Sequence, residues 1–120
     1  MTDITDHNII TINQLVQLLA WHAIEEFWNV LADDSFTGEL IPGSRRVPID
    51  RIVGESARLS RDTAIVVYCS KVAGTDSRQA STILTALGFT KVRVFEGGLA
   101  AWKASGRGVE TLLRPERTVP

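Results

Sequence analysis

Residues 65–77 read IVVYCSKVAGTDS, and this stretch decides the fold. From Ile65 through Tyr68 the chain is continuously apolar and largely β-branched, with no polar alternation. That is the pattern of a parallel strand covered on both faces. The run ends in Cys69, the single cysteine of the chain. A loop of small residues follows, and then the periodicity changes. Ala80, Ile83, Leu84 and Leu87 share a face at offsets of three, four and seven, which predicts a helix from about Ser77 to Leu87. Asp76 to Gln79 has capping-box spacing, and Gly88 suits the residue that ends a helix.

The neighbouring segments repeat this alternation. Downstream, Lys91–Phe95 alternates polar and apolar and reads as a strand nearer the sheet edge. Gly97-Gly98 turns the chain, Leu99–Ser105 is a short helix, and Gly106 closes it. Upstream, Thr11 and Gln14 form a capping box that opens a helix over Ile12–Ala20, and Ile9-Ile10 before it reads as a short edge strand. Phe27–Leu31 is aromatic and β-branched, a buried strand stopped by Asp33-Asp34. Ile41-Pro42-Gly43-Ser44 is a turn, Val47 begins a very short strand, and Ile49–Ser56 is a weak helix. Strands alternating with helices predict an α/β fold: a mostly parallel sheet with helices on both faces. The expected organisation is an N-terminal extension over 1–9, one domain over 10–110, and a C-terminal tail over 111–120 with two prolines.

Composition narrows the function. At 120 residues, 44% hydrophobic and 22% charged, the chain suits one domain that folds without a disulfide or metal. A lone cysteine cannot close an internal disulfide, which points to a reducing, cytoplasmic setting. The N-terminus MTDITDHN lacks the basic-then-apolar pattern of a signal peptide, and no apolar stretch reaches a membrane span. A formal net charge of −1 gives no basic footprint for nucleic acid. Cysteine and histidine are too few for an ordinary structural zinc site.

Two readings of Cys69 stand on the residues alone. Free cysteine is often buried and inert. Yet Cys69 falls where a parallel strand should end, before a helix N-terminus, and ligands of open parallel sheets bind beyond the carboxyl ends of the strands. A free thiol titrates near 8.5, so only about 3% is thiolate at neutral pH. Converging N–H groups favour the anion, and a shift of two units corresponds to about 2.7 kcal/mol. Lys71 and Arg78 would add to this if they pointed inward. Asp76 would oppose it, so Asp76 is expected to cap the helix.

Taken together, IVVYCS, the helix SRQASTILTALGF and the closing KVRVFEGGLAAWKASG resemble the rhodanese-like sulfurtransferase domain. Phe95-Glu96-Gly97-Gly98, Ala101-Trp102 and Gly106 match its closing pattern, and Ile41-Pro42-Gly43-Ser44 matches its IPGA/S turn. The likeness spans about residues 10–110. The resemblance implies a sheet of about five strands flanked by helices. It implies that Cys69 is the nucleophile, taking a sulfane sulfur from a donor such as thiosulfate and passing it on from a persulfide. Backbone N–H groups of Ser70, Lys71, Val72, Ala73, Gly74, Thr75 and Asp76 would hold that persulfide. The implied partners are a small sulfur-containing donor and a thiophilic or thiol acceptor, of which a protein is one kind; no metal, nucleotide or organic cofactor is implied. Where the family often has an aspartate and an arginine after its first buried strand, this chain has Asn29-Val30-Leu31-Ala32.

Two alternatives remain. Phosphatases of related fold clamp phosphate with an arginine six residues after the cysteine; that position here is Thr75. A non-catalytic binding or regulatory module is the second. Ser44, Arg45 and Arg78 are candidates for the pocket rim, against the simpler reading of solvated residues. Gly97-Gly98 reads as a turn, and Trp21, Trp28 and Trp102 as packing residues.

Overall fold

The computed structural model describes residues 8–32, 36–70 and 76–111. In chain order the elements are β1 (Ile9–Ile10), α1 (Ile12–Ala20), β2 (Glu26–Asn29), β3 (Glu39–Leu40) and β4 (Arg45–Arg46). A 3₁₀ turn over Ile49–Arg51 then runs into α2 (Ile52–Ser56), followed by β5 (Ile65–Tyr68), α3 (Asp76–Ala86), β6 (Val92–Phe95), α4 (Gly98–Ala104) and β7 (Glu110–Thr111). Five strands form one sheet in the order β1-β6-β5-β2-β4. Every pairing in that sheet is parallel. The expected α/β architecture is therefore the observed one.

Local signals placed several elements correctly. Thr11 caps α1 as a full capping box: its hydroxyl accepts from Gln14 N at 3.2 Å, and Gln14 Oε1 accepts from Thr11 N at 2.8 Å. β5 is the central strand, and all four of its residues are buried. Successive side chains point to opposite faces. Ile65 and Val67 join one cluster with Trp28, Val94, Ala80 and Leu84, beneath α2 and α3. Val66 and Tyr68 join another with Phe27, Phe95, Leu15, Leu99 and Trp102, beneath α1 and α4. Both faces need apolar side chains, so the strand has no polar alternation. Burial of such side chains contributes about 1.5–3 kcal/mol each.

Other boundaries moved, for identifiable reasons. β2 stops at Asn29 rather than running to Leu31, because the Asn29 side chain takes over: its Oδ1 accepts from Leu31 N at 3.1 Å and bends the chain out of the ladder. The short strand expected at Val47 is Arg45–Arg46, although Val47 N still donates to Asn29 O at 3.0 Å. The weak helix over Ile49–Ser56 divides into the 3₁₀ turn and α2. A second sheet had no counterpart in the sequence reading: β3 pairs antiparallel with β7, Leu40 opposite Glu110. Strands of two residues are too short to show a period, and these two lie about seventy positions apart.

Candidate active site

Cys69 directly follows β5 at the carboxyl edge of the sheet, and its side chain continues the alternation of Ile65 and Val67 toward α3. There it meets Ser77, the second residue of α3, with Sγ 3.5 Å from Ser77 Oγ. Both residues are 0% exposed. In the thiol form Sγ donates to the hydroxyl. In the thiolate form the direction reverses, and the serine O–H can donate to the anion. The thiol is fully buried, as in the first of the two readings of Cys69, yet it lies at the strand end of the second.

Among the proposed loop residues, Ser70 is half-buried and Asp76 opens α3. Lys71, Val72, Ala73, Gly74 and Thr75 lie outside the described residues. The Asp76 carboxylate, expected to cap its own helix, reaches across to the segment after β2 and accepts from Ala32 N at 3.2 Å. That bond ties the start of α3 to the neighbouring strand end, 44 residues away in sequence.

The candidate rim residues have other partners. Arg78, half exposed, pairs with Glu96 at the end of β6. Arg45 bonds Glu26 at 3.2 Å and Glu55 at 3.0 Å and stacks over Trp28. The carboxylates raise its already high pKa, against the opposing pull of burial. Register places Arg45 level with Trp28 and Val67, two strands across from β5 and so about 10 Å from it. Ser44 donates to the Ile41 carbonyl at 2.6 Å and shares a 2.7 Å hydrogen bond with the Tyr68 hydroxyl. These three residues therefore support the strand ends and the IPGS turn; they do not converge on the sulfur.

Tyr68 anchors the residue before the cysteine. Its hydroxyl also accepts from Ile41 N at 2.9 Å. Burial pushes its pKa up, while the bonds to Ser44 and the Ile41 N–H, the nearby Asn29 side chain and the charge of Arg46 pull the other way. Arg46 donates to the Leu31 carbonyl at 2.7 Å, to the Asn29 carbonyl at 3.1 Å and to Asn29 Oδ1 at 3.3 Å. The carboxyl end of β2 is thus held by a cation, in a chain that has asparagine where the family often has aspartate. Asn29 Nδ2 is buried and faces the Tyr68 hydroxyl without a well-formed hydrogen bond.

The double glycine has a function that its reading as a simple turn missed. Gly98 begins α4 at φ +61°, and a Cβ there would lie 2.2 Å from the Cys69 carbonyl oxygen. Leu99 N donates to that same oxygen at 3.0 Å, and Ala100 N donates to the Ser70 carbonyl at 2.8 Å. The available signal was a glycine as the first residue of a helix, a poor helix former whose place there suggests a positive φ or a lack of space for a side chain.

A cavity of about 430 Å³ lies at the amino ends of β1 and β6, lined by Asn8, Ser81, Thr85, Gly88, Phe89, Thr90 and Val92. Among the described residues its lining has no thiol and no titratable side chain, and it sits at the opposite end of the sheet from Cys69. Among the described residues, no helix is long and apolar enough to cross a membrane.

Comparison with known proteins matches this arrangement. The family model "Rhodanese-like domain" matches residues 11–105. The chain is 34% identical over 88 residues to "Putative thiosulfate sulfurtransferase SseB" of Mycobacterium tuberculosis. The match covers 68% of this chain but 30% of that longer protein. The rhodanese-like domain of the Anabaena sp. protein Alr3790 superposes with a TM-score of 0.74 at 28% identity, covering 94% of this chain and 84% of that one. The human single-domain sulfurtransferase TSTD1 shares the fold, with a TM-score of 0.69 at 19% identity, covering 81% of this chain and 96% of that one. From the central strand to the close approach of α4 beneath the cysteine, the chain is a member of the rhodanese-like domain family.

Proposed function

We propose that this domain is a sulfurtransferase in which Cys69 carries sulfur as a persulfide. The observation that carries the reading is the position of the thiol: at the carboxyl edge of a parallel sheet, with Sγ 3.5 Å from a buried hydroxyl at the start of a helix. With thiosulfate as donor, the Cys69 thiolate attacks the sulfane sulfur. A new S–S bond forms to Sγ, the old S–S bond breaks, and sulfite leaves with its electron pair. An acceptor nucleophile, such as cyanide or a thiolate, then attacks the outer sulfur and returns Cys69 to the thiolate. In this reading the Ser77 hydroxyl is a donor to the charged sulfur. The lone cysteine suits a reducing compartment such as the cytoplasm.

Complete burial of the thiol favours a second reading, a binding or regulatory module with a structural cysteine. Incubation with thiosulfate followed by intact mass measurement separates the two. Sulfur transfer predicts a gain of one sulfur atom, reversed by cyanide and absent in Cys69→Ser, which keeps its fold. A wild-type protein that gains no sulfur from any sulfane donor supports the binding module and overturns the transferase reading.

A further inference from the structure

We infer that Gly98 and the first turn of α4 are positioning elements for the sulfur site, orienting the Cys69–Ser70 backbone so that it favours negative charge on Sγ. This rests on the transferase reading for its purpose, and on the following geometry for its substance. The Cys69 side chain lies on the α3 face of the sheet, whereas α4 packs on the opposite face through Leu99 and Trp102. The Cys69 and Ser70 carbonyls are both engaged on the α4 side, by Leu99 N at 3.0 Å and Ala100 N at 2.8 Å. A carbonyl oxygen is the negative end of its peptide dipole, and pointed at the sulfur it would oppose a thiolate. Held by α4, both are kept from it. Within one trans planar peptide the N–H is antiparallel to the C=O. Fixing the Cys69 carbonyl into α4 therefore turns the Ser70 N–H away from α4 and toward the side where the sulfur lies.

This docking requires glycine for two separate reasons. The φ of +61° lies in the left-handed region, which strains other residues. In addition, the site has no room: an added Cβ would meet Cys69 O at 2.2 Å and the carbonyl carbons of Cys69 and Ser70 at 2.9 Å. The obstruction is backbone, so any side chain at position 98 must push the Cys69–Ser70 segment off α4. Gly106, at the far end of the same helix, provides the contrast: its φ is +87°, but nothing lies within 4 Å of an added Cβ.

The test compares Gly98→Ala with Gly106→Ala, measuring the rate of Cys69 alkylation by iodoacetamide against pH and sulfur loading from thiosulfate. Gly98→Ala is expected to react about tenfold more slowly at neutral pH and to converge on wild type at alkaline pH, where the thiolate is complete in both. Gly106→Ala, strained but unobstructed, is expected to follow wild type. A folded Gly98→Ala that matches wild type at every pH, or that is slowed equally at every pH, overturns the inference, since the latter reports access alone. If Gly98→Ala fails to fold, Ala100→Pro removes the donor to the Ser70 carbonyl at an exposed, first-turn position that tolerates proline. The same two outcomes apply to it. If wild type takes up no sulfur, the transferase reading falls, while the alkylation profiles still decide whether α4 tunes the thiol.

Discussion

Ser77→Ala tests the chemistry at its closest contact. The substitution removes one oxygen atom 3.5 Å from Sγ and leaves the backbone unchanged. Its structural cost is small. With the sulfur protonated, the lost bond is worth about 0.5–1.5 kcal/mol. Alanine is the better helix former by a few tenths of a kcal/mol, which offsets part of that loss. The variant should therefore melt within a few degrees of wild type. The effect on the anion is larger. A hydrogen bond to a charged group contributes about 1.5–3 kcal/mol, and 3.5 Å is a long contact, so the lower end applies. Ionisation follows the difference between the two forms: about 1.5 kcal/mol for the anion less about 0.5 kcal/mol for the thiol at this long contact leaves about 1 kcal/mol, about a fivefold change. Thiosulfate loading and alkylation of Cys69 should each slow about fivefold at neutral pH, with the difference vanishing at alkaline pH. Changed access to the buried sulfur would scale the rate equally at every pH, so the profile separates the two causes. Ser81→Ala, one turn along the same buried face, should leave the profile unchanged. Neutral-pH rates equal to wild type in Ser77→Ala would refute the assignment of the hydroxyl as a donor to the sulfur.

Tyr68→Phe leaves the buried Ile41 N–H without its acceptor and Ser44 without its shared bond, and should cost about 1–3 kcal/mol in urea denaturation with an unchanged m-value. Because the folded phenol pKa is raised, the folded state holds its proton more tightly than the unfolded chain. That contribution is complete below about pH 10 and declines as pH rises from there through the folded pKa. Tyr68→Phe should remove this part of the alkaline decline, and an identical pH dependence in both proteins would count against it. Asp76→Ala should lose about 1–2 kcal/mol, combining the Ala32 bond with a favourable charge at a helix N-terminus, while Asp76→Asn keeps an acceptor and should lose less. Equal losses in the two would place the effect elsewhere.

Much of the framework was legible because its causes are local. The Thr11–Gln14 box needs three neighbouring positions, and the face of α3 repeats within two turns. The Ile65–Tyr68 run declares burial on both sides without reference to what buries it. Strand order was not legible, since nothing in β5 names β2 and β6 as its neighbours. Nor was the second sheet, whose two-residue strands show no period. Asn29 reads as a strand residue until its side chain is seen bonding Leu31 N, and Arg45 reads as a rim cation until Glu26 and Glu55 are seen beside it.

At the candidate site the division is sharper. The sequence by itself determined that a lone cysteine ends a doubly covered parallel strand and precedes a helix, because hydrophobic periodicity and capping patterns are properties of consecutive residues. Only the tertiary structure decided that the thiol is buried against Ser77, that Asp76 bonds Ala32 rather than its own helix, and that Gly98 must lack a side chain. Each of these depends on atoms eight to forty-four positions apart meeting within a few ångströms, and such distances are set by how the helices pack on the sheet.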